Sequence, residues 1–368
     1  MTTRIGLVAG EPSGDLLAAR AMAGLSQQIE QPRFDGIGGP AMQAQGLSQW
    51  YPMDALSVFG YVDALKRLPG LVHTYSRVRS RWLKEKPDVF IGIDAPDFNL
   101  RLEKALKQAG VPTVHFVGPS IWAWRYSRIH TIRESVSHML VLFPFETQMY
   151  EQEDIPVTFV GHPLADLIPL QPDRLAAQQR LGLDTSRKVL AVLPGSRTSE
   201  VRMLSARFLQ AVQLLQKQNP DLQVVVPMVN KQRRQEFEAI AQENPIQHLR
   251  IIDQPLREGW PAAWEAMEAA DAVLVASGTA TLETALFKRP MVISYVLTPM
   301  MRRLMAWKSG QEKPYLPWVG LPNVLLQDFV VPELLQDEAT PDKLAHACWD
   351  ALTNESYVAD IEKKFDQL

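Results

Sequence analysis

Short apolar, β-branched runs alternate along this chain with longer stretches whose apolar residues recur at helical spacing. In the first half the runs are Ile5–Ala9, Phe34–Ile37, Val89–Ile93, Thr113–Val117, Met139–Phe143 and Val157–Val160. After Lys188 the alternation restarts with Val189–Leu193, Gln223–Pro227, Arg250–Ile252, Ala272–Ala276 and Met291–Tyr295. Such alternation predicts βαβ units and parallel sheets covered by helices. Between the two series, Pro163–Pro172 carries three prolines and no clear period, which marks it as a linker. The expected architecture is α/β, two doubly wound Rossmann-like domains over residues 1–165 and 166–340. A helical stretch at 341–368 could pack on either. Doubly wound sheets bind ligands at the carboxyl ends of their strands, so the site is expected in a cleft where the domains face each other.

Composition narrows the function classes. A chain of 368 residues is comfortable as two domains with a core each. A net charge of −3 speaks against a general nucleic-acid partner. The lone Cys348 allows neither an internal disulfide nor a cysteine metal cluster and suits a reducing compartment. The apolar run at the N-terminus is too short for a signal peptide. The longest apolar candidate, Met291–Trp307, is broken by Pro299, Arg302 and Arg303, so no span of about 20 apolar residues is expected. The segment Leu56–Leu83 mixes apolar residues with Lys66, Arg67, Arg77, Arg79 and Arg81. It reads either as a membrane-surface helix or as a core-facing one. His115 and His162 lack metal-ligand spacing and are expected to make structural hydrogen bonds.

Five loops could carry chemistry, each at the end of an expected strand. Gly10-Glu11-Pro12-Ser13-Gly14-Asp15 turns a strand into a helix, but Glu11 and Asp15 would repel a phosphate there. Sugar hydroxyls suit it better, unless Asp15 only complements the helix dipole. Pro194-Gly195-Ser196-Arg197-Thr198-Ser199-Glu200 offers amides, a helix dipole and a guanidinium to an anion. Plain helix capping is the alternative. Ser277-Gly278-Thr279, with Glu283 one turn further on, forms a second phosphate cradle and places a carboxylate for ribose hydroxyls. A simple capping pattern explains it as well, but two cradles on neighbouring strand ends favour a diphosphate. Asp94 and Asp97 end Val89–Ile93, where one carboxylate could take a proton from an attacking hydroxyl or merely cap the helix. Trp122, Trp124, Arg125 and Arg128 offer aromatic faces and bases to a sugar, a lipid or a phosphate, though interdomain packing explains the tryptophans too.

Taken together, in order and spacing, these segments match one family almost from end to end. Gly92-Ile93-Asp94-Ala95-Pro96-Asp97-Phe98-Asn99, Ile121-Trp122-Ala123-Trp124-Arg125, Phe159-Val160-Gly161-His162-Pro163 and Leu321-Pro322-Asn323 complete the pattern. The chain resembles the lipid-A-disaccharide synthases, bacterial glycosyltransferases of the GT-B fold. That resemblance implies transfer of 2,3-diacylglucosamine from UDP to 2,3-diacylglucosamine 1-phosphate with inversion. It implies no cofactor and no metal. Asp97 resembles the family's general base and Glu11 an acceptor-side residue. Arg197 would meet the diphosphate, with Gly195, Ser196, Ser277, Gly278 and Thr279 as its cradle and Glu283 on the ribose. Trp124 and Arg125 would line the acceptor side. Asn323, in a loop after the last strand, would be a further cleft residue. One departure stands at Asp63, where the family usually has glutamate; Asp63 is left outside the expected site. The diacylated substrates imply a cytoplasmic enzyme attached peripherally to the inner membrane, with no nucleic-acid partner. A homodimer stays open. Two rivals share the architecture: a UDP-sugar 2-epimerase, which needs no second sugar site, and a hinged sugar-binding receptor, which is normally exported.

Overall fold

The computed structural model describes residues 2–56, 61–122, 126–297 and 316–368, with the backbone alone at Asp54 and over 61–68. The chain divides into two compact units, Met1–Pro163 and Leu164–Leu368.

The first unit runs β1 (Arg4–Ala9), α1 (Pro12–Gln28), β2 (Arg33–Gly38), α2 (Pro40–Ala44), β3 (Ser48–Pro52), α3 (Tyr61–Lys84) and β4 (Val89–Ile93). It continues with α4 (Pro96–Gln108), β5 (Thr113–Phe116), α5 (Ile129–Ser135), β6 (His138–Val141), α6 (Phe145–Glu151) and β7 (Val157–Phe159). The sheet is parallel throughout, in the order β3-β2-β1-β4-β5-β6-β7. Both faces of β1 are covered. Ile5, Leu7 and Ala9 pack with Ala18 and Met22 of α1, while Val8 packs on the other side with Val78 and Trp82 of α3. The expected amphipathic segment is therefore a helix whose second half faces the core. Leu71, Tyr75, Val78 and Trp82 recur at helical spacing and pack inward, with Arg77, Arg79 and Arg81 exposed. Val58 and the side chains of Val62, Leu65 and Leu68 lie outside the described residues.

The second unit comprises α7 (Leu164–Leu167), α8 (Arg174–Arg180), β8 (Val189–Leu193), α9 (Thr198–Gln218), β9 (Gln223–Pro227), α10 (Lys231–Glu243) and β10 (Leu249–Ile252). Then follow α11 (Ala262–Ala269), β11 (Ala272–Ala276), α12 (Thr279–Leu286), β12 (Met291–Tyr295), α13 (Leu321–Leu326), β13 (Glu333–Leu335), α14 (Pro341–Thr353) and α15 (Glu355–Phe365). Its parallel sheet is ordered β10-β9-β8-β11-β12-β13. Strands β8, β9 and β11 are buried along their whole length, which is why they read as continuous apolar runs. The C-terminal stretch belongs to this unit: Leu344, Ala345, Cys348, Ala351 and Leu352 of α14 join its core against α9.

The strand runs did not mark β3 and β13. Both are edge strands with partly exposed side chains, so neither shows a buried apolar run. In each sheet the strand order reverses once, between β1 and β4 and between β8 and β11. These are the switch points where a doubly wound sheet holds ligands. The loops after β1 and β4 are therefore neighbours, as are those after β8 and β11.

Candidate active site

The loop after β4 is bent out of ordinary backbone geometry. Asp94 and Ala95 have φ of 50° and 44°, and Val117, just past the neighbouring β5, has φ of 80°. Left-handed backbone at residues other than glycine costs about 1–3 kcal/mol each and persists only where the surroundings impose it. Asn99 imposes it here. Fully buried, it donates from Nδ2 to Asp94 O at 2.8 Å and lies 3.3 Å from Ile93 O and from Val8 O. One side chain thus clasps the carboxyl ends of both β1 and β4. Behind it, His115 and Glu103 are bonded at 2.8 Å in complete burial. A Cβ on Gly92 would stand 2.2 Å from Glu103 Oε1, so only glycine fits that strand position.

Asp97 is the second residue of α4. Neither aspartate caps that helix: the N-cap is Ala95, which makes no side-chain cap bond. The Asp97 side chain is 82% exposed and forms an ion pair with Arg128. Glu11 is likewise exposed, at the N-cap of α1 without a cap bond. A Cβ on Gly10 would lie 3.1 Å from Ala95 Cβ, so the two loops abut. Between them opens a recess of about 510 Å³ that brings Glu11 and Asp97 together with the apolar Leu56, Leu71, Val72, Tyr75 and Phe98. Asp15 points elsewhere: buried, it accepts from the amides of Gly39, Ala41 and Met42 and so caps α2 from outside. Trp122 is buried edge-on against Phe145, and Trp124 and Arg125 lie outside the described residues.

A second recess, of about 390 Å³, is walled by Val117–Ile121 and Arg128 and shares Asp94 and Pro96 with the first. Behind its wall, Glu146 is 2% exposed and accepts from Phe143 N at 3.2 Å. Burial pushes its carboxyl up to about 8, against the pull of the Phe143 and Leu142 amides. With the folded value above the unfolded one, this contribution to stability is complete below about pH 4.5 and fades as pH rises through about 8. Glu146→Gln cannot ionise. Its melting temperature should gain on the wild type by several degrees between about pH 5 and 8. A constant difference across that range in calorimetry would mean that Glu146 is already charged.

In the second unit the two expected cradles differ. At α9 the anion is already supplied from within, because Glu200 Oε2 accepts from Ser196 N at 2.9 Å and Arg197 N at 3.1 Å. Gly195, with φ of 115°, makes room for it: a Cβ there would sit 2.5 Å from the Glu200 carboxylate. The Ser196 amide, expected to meet an outside anion, is thus engaged within the fold, while Gly195 serves to admit the Glu200 carboxylate. The Arg197 side chain is 77% exposed and stands 3.5 Å from Glu200 Oε1. At α12, by contrast, Gly278 is the N-cap with no side-chain cap bond, and Gly278 and Thr279 are exposed. The first amides of α12 face outward with the helix dipole behind them. Glu283 is largely desolvated; burial raises its carboxyl and a bond from the Trp264 indole lowers it.

Trp264 stacks edge-on with Trp260, 5.1 Å away, in the loop after β10. Arg257 lies 3.9 Å over the Trp260 ring and pairs with the buried Glu265 and Glu268 of α11. That loop, with the end of β9, walls a recess of about 360 Å³ that includes Asp253 and Trp260. Asn323 is also corrected. It sits in α13, before β13, fully buried, and exchanges bonds with the Val331 backbone while donating to Glu333 Oε1 at 2.9 Å. Every polar atom of its side chain is engaged within the fold. Among the described residues, no group of three His, Cys, Asp or Glu side chains is placed to hold a metal ion. None of the described helices is long and apolar enough to cross a membrane.

Glu200→Ala should lower stability by about 1 kcal/mol through loss of the cap and leave UDP affinity within about threefold. Thermal unfolding and calorimetric titration measure the two. A large gain in UDP affinity would mean that the diphosphate seats on the freed amides of α9 instead of α12.

Residues 5–368 match the model of the lipid-A-disaccharide synthetase family. The chain belongs to that family. A lipid-A-disaccharide synthase of Bordetella petrii is 68% identical over 367 residues, covering 99% of this chain and 93% of the relative. One from Aromatoleum aromaticum is 50% identical over 368 residues, covering 100% and 92%. Among solved structures, UDP-GlcNAc 2-epimerase from Neisseria meningitidis bound to UDP-GlcNAc superposes with a TM-score of 0.63 at 10% identity, covering 98% of this chain and 94% of that one. A UDP-forming trehalose-phosphate synthase from Burkholderia xenovorans superposes at 0.53 with 10% identity, covering 99% and 96%. At such identities the likeness is one of fold, the GT-B architecture of two doubly wound units. The epimerase alternative has that fold likeness alone, whereas the sequence relatives are synthases.

Proposed function

We propose that the chain transfers 2,3-diacylglucosamine from UDP to the 6-hydroxyl of 2,3-diacylglucosamine 1-phosphate, inverting the anomeric centre and releasing UDP. Family membership supports the reaction. For the residue roles, the observation that carries most weight is the open N-terminus of α12 beside the internally filled one of α9. The diphosphate rests on the Gly278 and Thr279 end of α12, with Ser277 beside it, and Arg197 swings from its loose contact to meet the charge of the leaving group. Glu283 takes the ribose hydroxyls, and the uracil enters the recess beside Trp260. Contacts that run from Trp260 through Trp264 to Glu283, one turn into α12, support this order of base, ribose and phosphate.

In the first unit, Asp97 takes the proton of the attacking hydroxyl, with Glu11 in the same recess orienting the acceptor. The apolar side of that recess suits an acyl chain. A peripheral position on the inner-membrane surface follows from the diacylated substrates and the basic, exposed side of α3; failure to float with anionic vesicles would remove it. The reaction itself is tested by incubating the protein with both diacylated substrates. One UDP per disaccharide is expected. Consumption of the UDP-sugar by epimerisation or hydrolysis, with no disaccharide, would sink the proposal.

A further inference from the structure

Asp97 is exposed, yet its carboxylate is engaged. Arg128 reaches it from the far side of the partition formed by Asp94 and Pro96, which belong to both recesses. Arg128 is 21% exposed and supplies the positive charge on the wall of the smaller recess. The rest of that wall, from Val117 to Ile121, is shaped by the left-handed turn at Val117 and presents the exposed hydroxyl of Ser120. A recess with a half-buried guanidinium, a hydroxyl and a tight backbone turn is suited to a tetrahedral oxyanion.

The position of Arg128 couples that recess to the base. Taking a proton at either oxygen neutralises the carboxylate and forfeits its ion pair with Arg128, so the pairing opposes proton transfer to Asp97. An ion pair at an exposed carboxylate is weak, so a more highly charged oxyanion can displace it. A phosphate monoester carries nearly two charges and matches the guanidinium fork.

Resting on the sugar-phosphate acceptor proposed above, we infer that the recess walled by Val117–Ile121 and Arg128 binds the acceptor's phosphate monoester, which draws Arg128 off Asp97. The phosphate is then both an anchor and the signal that frees the base. An acceptor without phosphate leaves Arg128 on Asp97 and reacts slowly even at saturation. Recognition of the phosphate is thereby expressed in turnover as well as in affinity.

The test compares wild type, Arg128→Met and Arg128→Lys, each with UDP-diacylglucosamine and two saturating acceptors, diacylglucosamine 1-phosphate and diacylglucosamine lacking phosphate. Wild type should lose about tenfold in kcat with the phosphate-free acceptor, since the rate scales with the fraction of competent base. Arg128→Met should show similar kcat with both acceptors and should exceed the wild type about tenfold on the phosphate-free one. Its KM for the phosphorylated acceptor should rise by about tenfold or more. Arg128→Lys, which keeps the charge, should retain the wild-type preference in weakened form and guards against misfolding of the methionine variant. A methionine variant that is no faster than wild type on the phosphate-free acceptor overturns the release of Asp97. Unchanged wild-type kcat between acceptors overturns it as well, and an unchanged KM in the methionine variant removes the phosphate site. Absence of disaccharide from wild type with the phosphorylated acceptor would instead defeat the proposed reaction.

Discussion

Asp97→Asn is expected to lower turnover by about two to four orders of magnitude, the usual worth of a general base, with UDP affinity nearly unchanged. Asparagine keeps the shape and can still accept a bond from Arg128, but it cannot take the proton. Because Asp97 is not the cap of α4 and is exposed, the substitution removes no structural bond except that ion pair. Stability should therefore stay within about 0.5 kcal/mol of the wild type. Single-turnover rates and calorimetric UDP titration check both parts. Near-normal turnover would end the general-base role, and a parallel loss of UDP binding would point to a disturbed fold.

The second large effect is expected at Arg197. The Ser196 and Arg197 amides of its loop are held by Glu200, while the guanidinium is largely exposed and within reach of an outside anion. Arg197→Ala should cost about two orders of magnitude in turnover, the scale of a lost contact to developing charge. Lysine should restore only part, because it lacks the bidentate fork. Steady-state kinetics of the two variants decide the matter. An alanine variant with near-normal kcat would remove Arg197 from the chemistry.

The strand pattern made the two sheets legible because strands such as β8, β9 and β11 are buried on both faces and read as unbroken apolar runs. Edge strands β3 and β13 escaped for the opposite reason. The loops at the switch points were also legible, since each ends an apolar run in glycine, proline or hydroxylated residues. What those loops do with their polar groups was less so. Glu200 stands three residues after Arg197, the spacing of a carboxylate that reaches back to a helix's first amides, and local sequence could have ranked that above an open cradle. The strain at Ala95 left no such trace, because a residue before proline is biased to extended backbone and not to the left-handed region found here. Other contacts join residues far apart in the chain and leave no local mark. The Arg128–Asp97 pair spans 31 residues, and Asn99 reaches back to Val8. Asn323 was misplaced because its partners, Val331 just before β13 and Glu333 at its start, flank a strand too short to recognise.

The division of labour proposed here is tested most directly by a crystal structure of the protein with UDP. Diphosphate oxygens should lie within about 3 Å of the first amide nitrogens of α12, at Gly278 and Thr279, with the uracil beside Trp260 and Glu200 still on the amides of Ser196 and Arg197. A diphosphate seated on those α9 amides with Glu200 displaced, or UDP bound in the first unit, would contradict it.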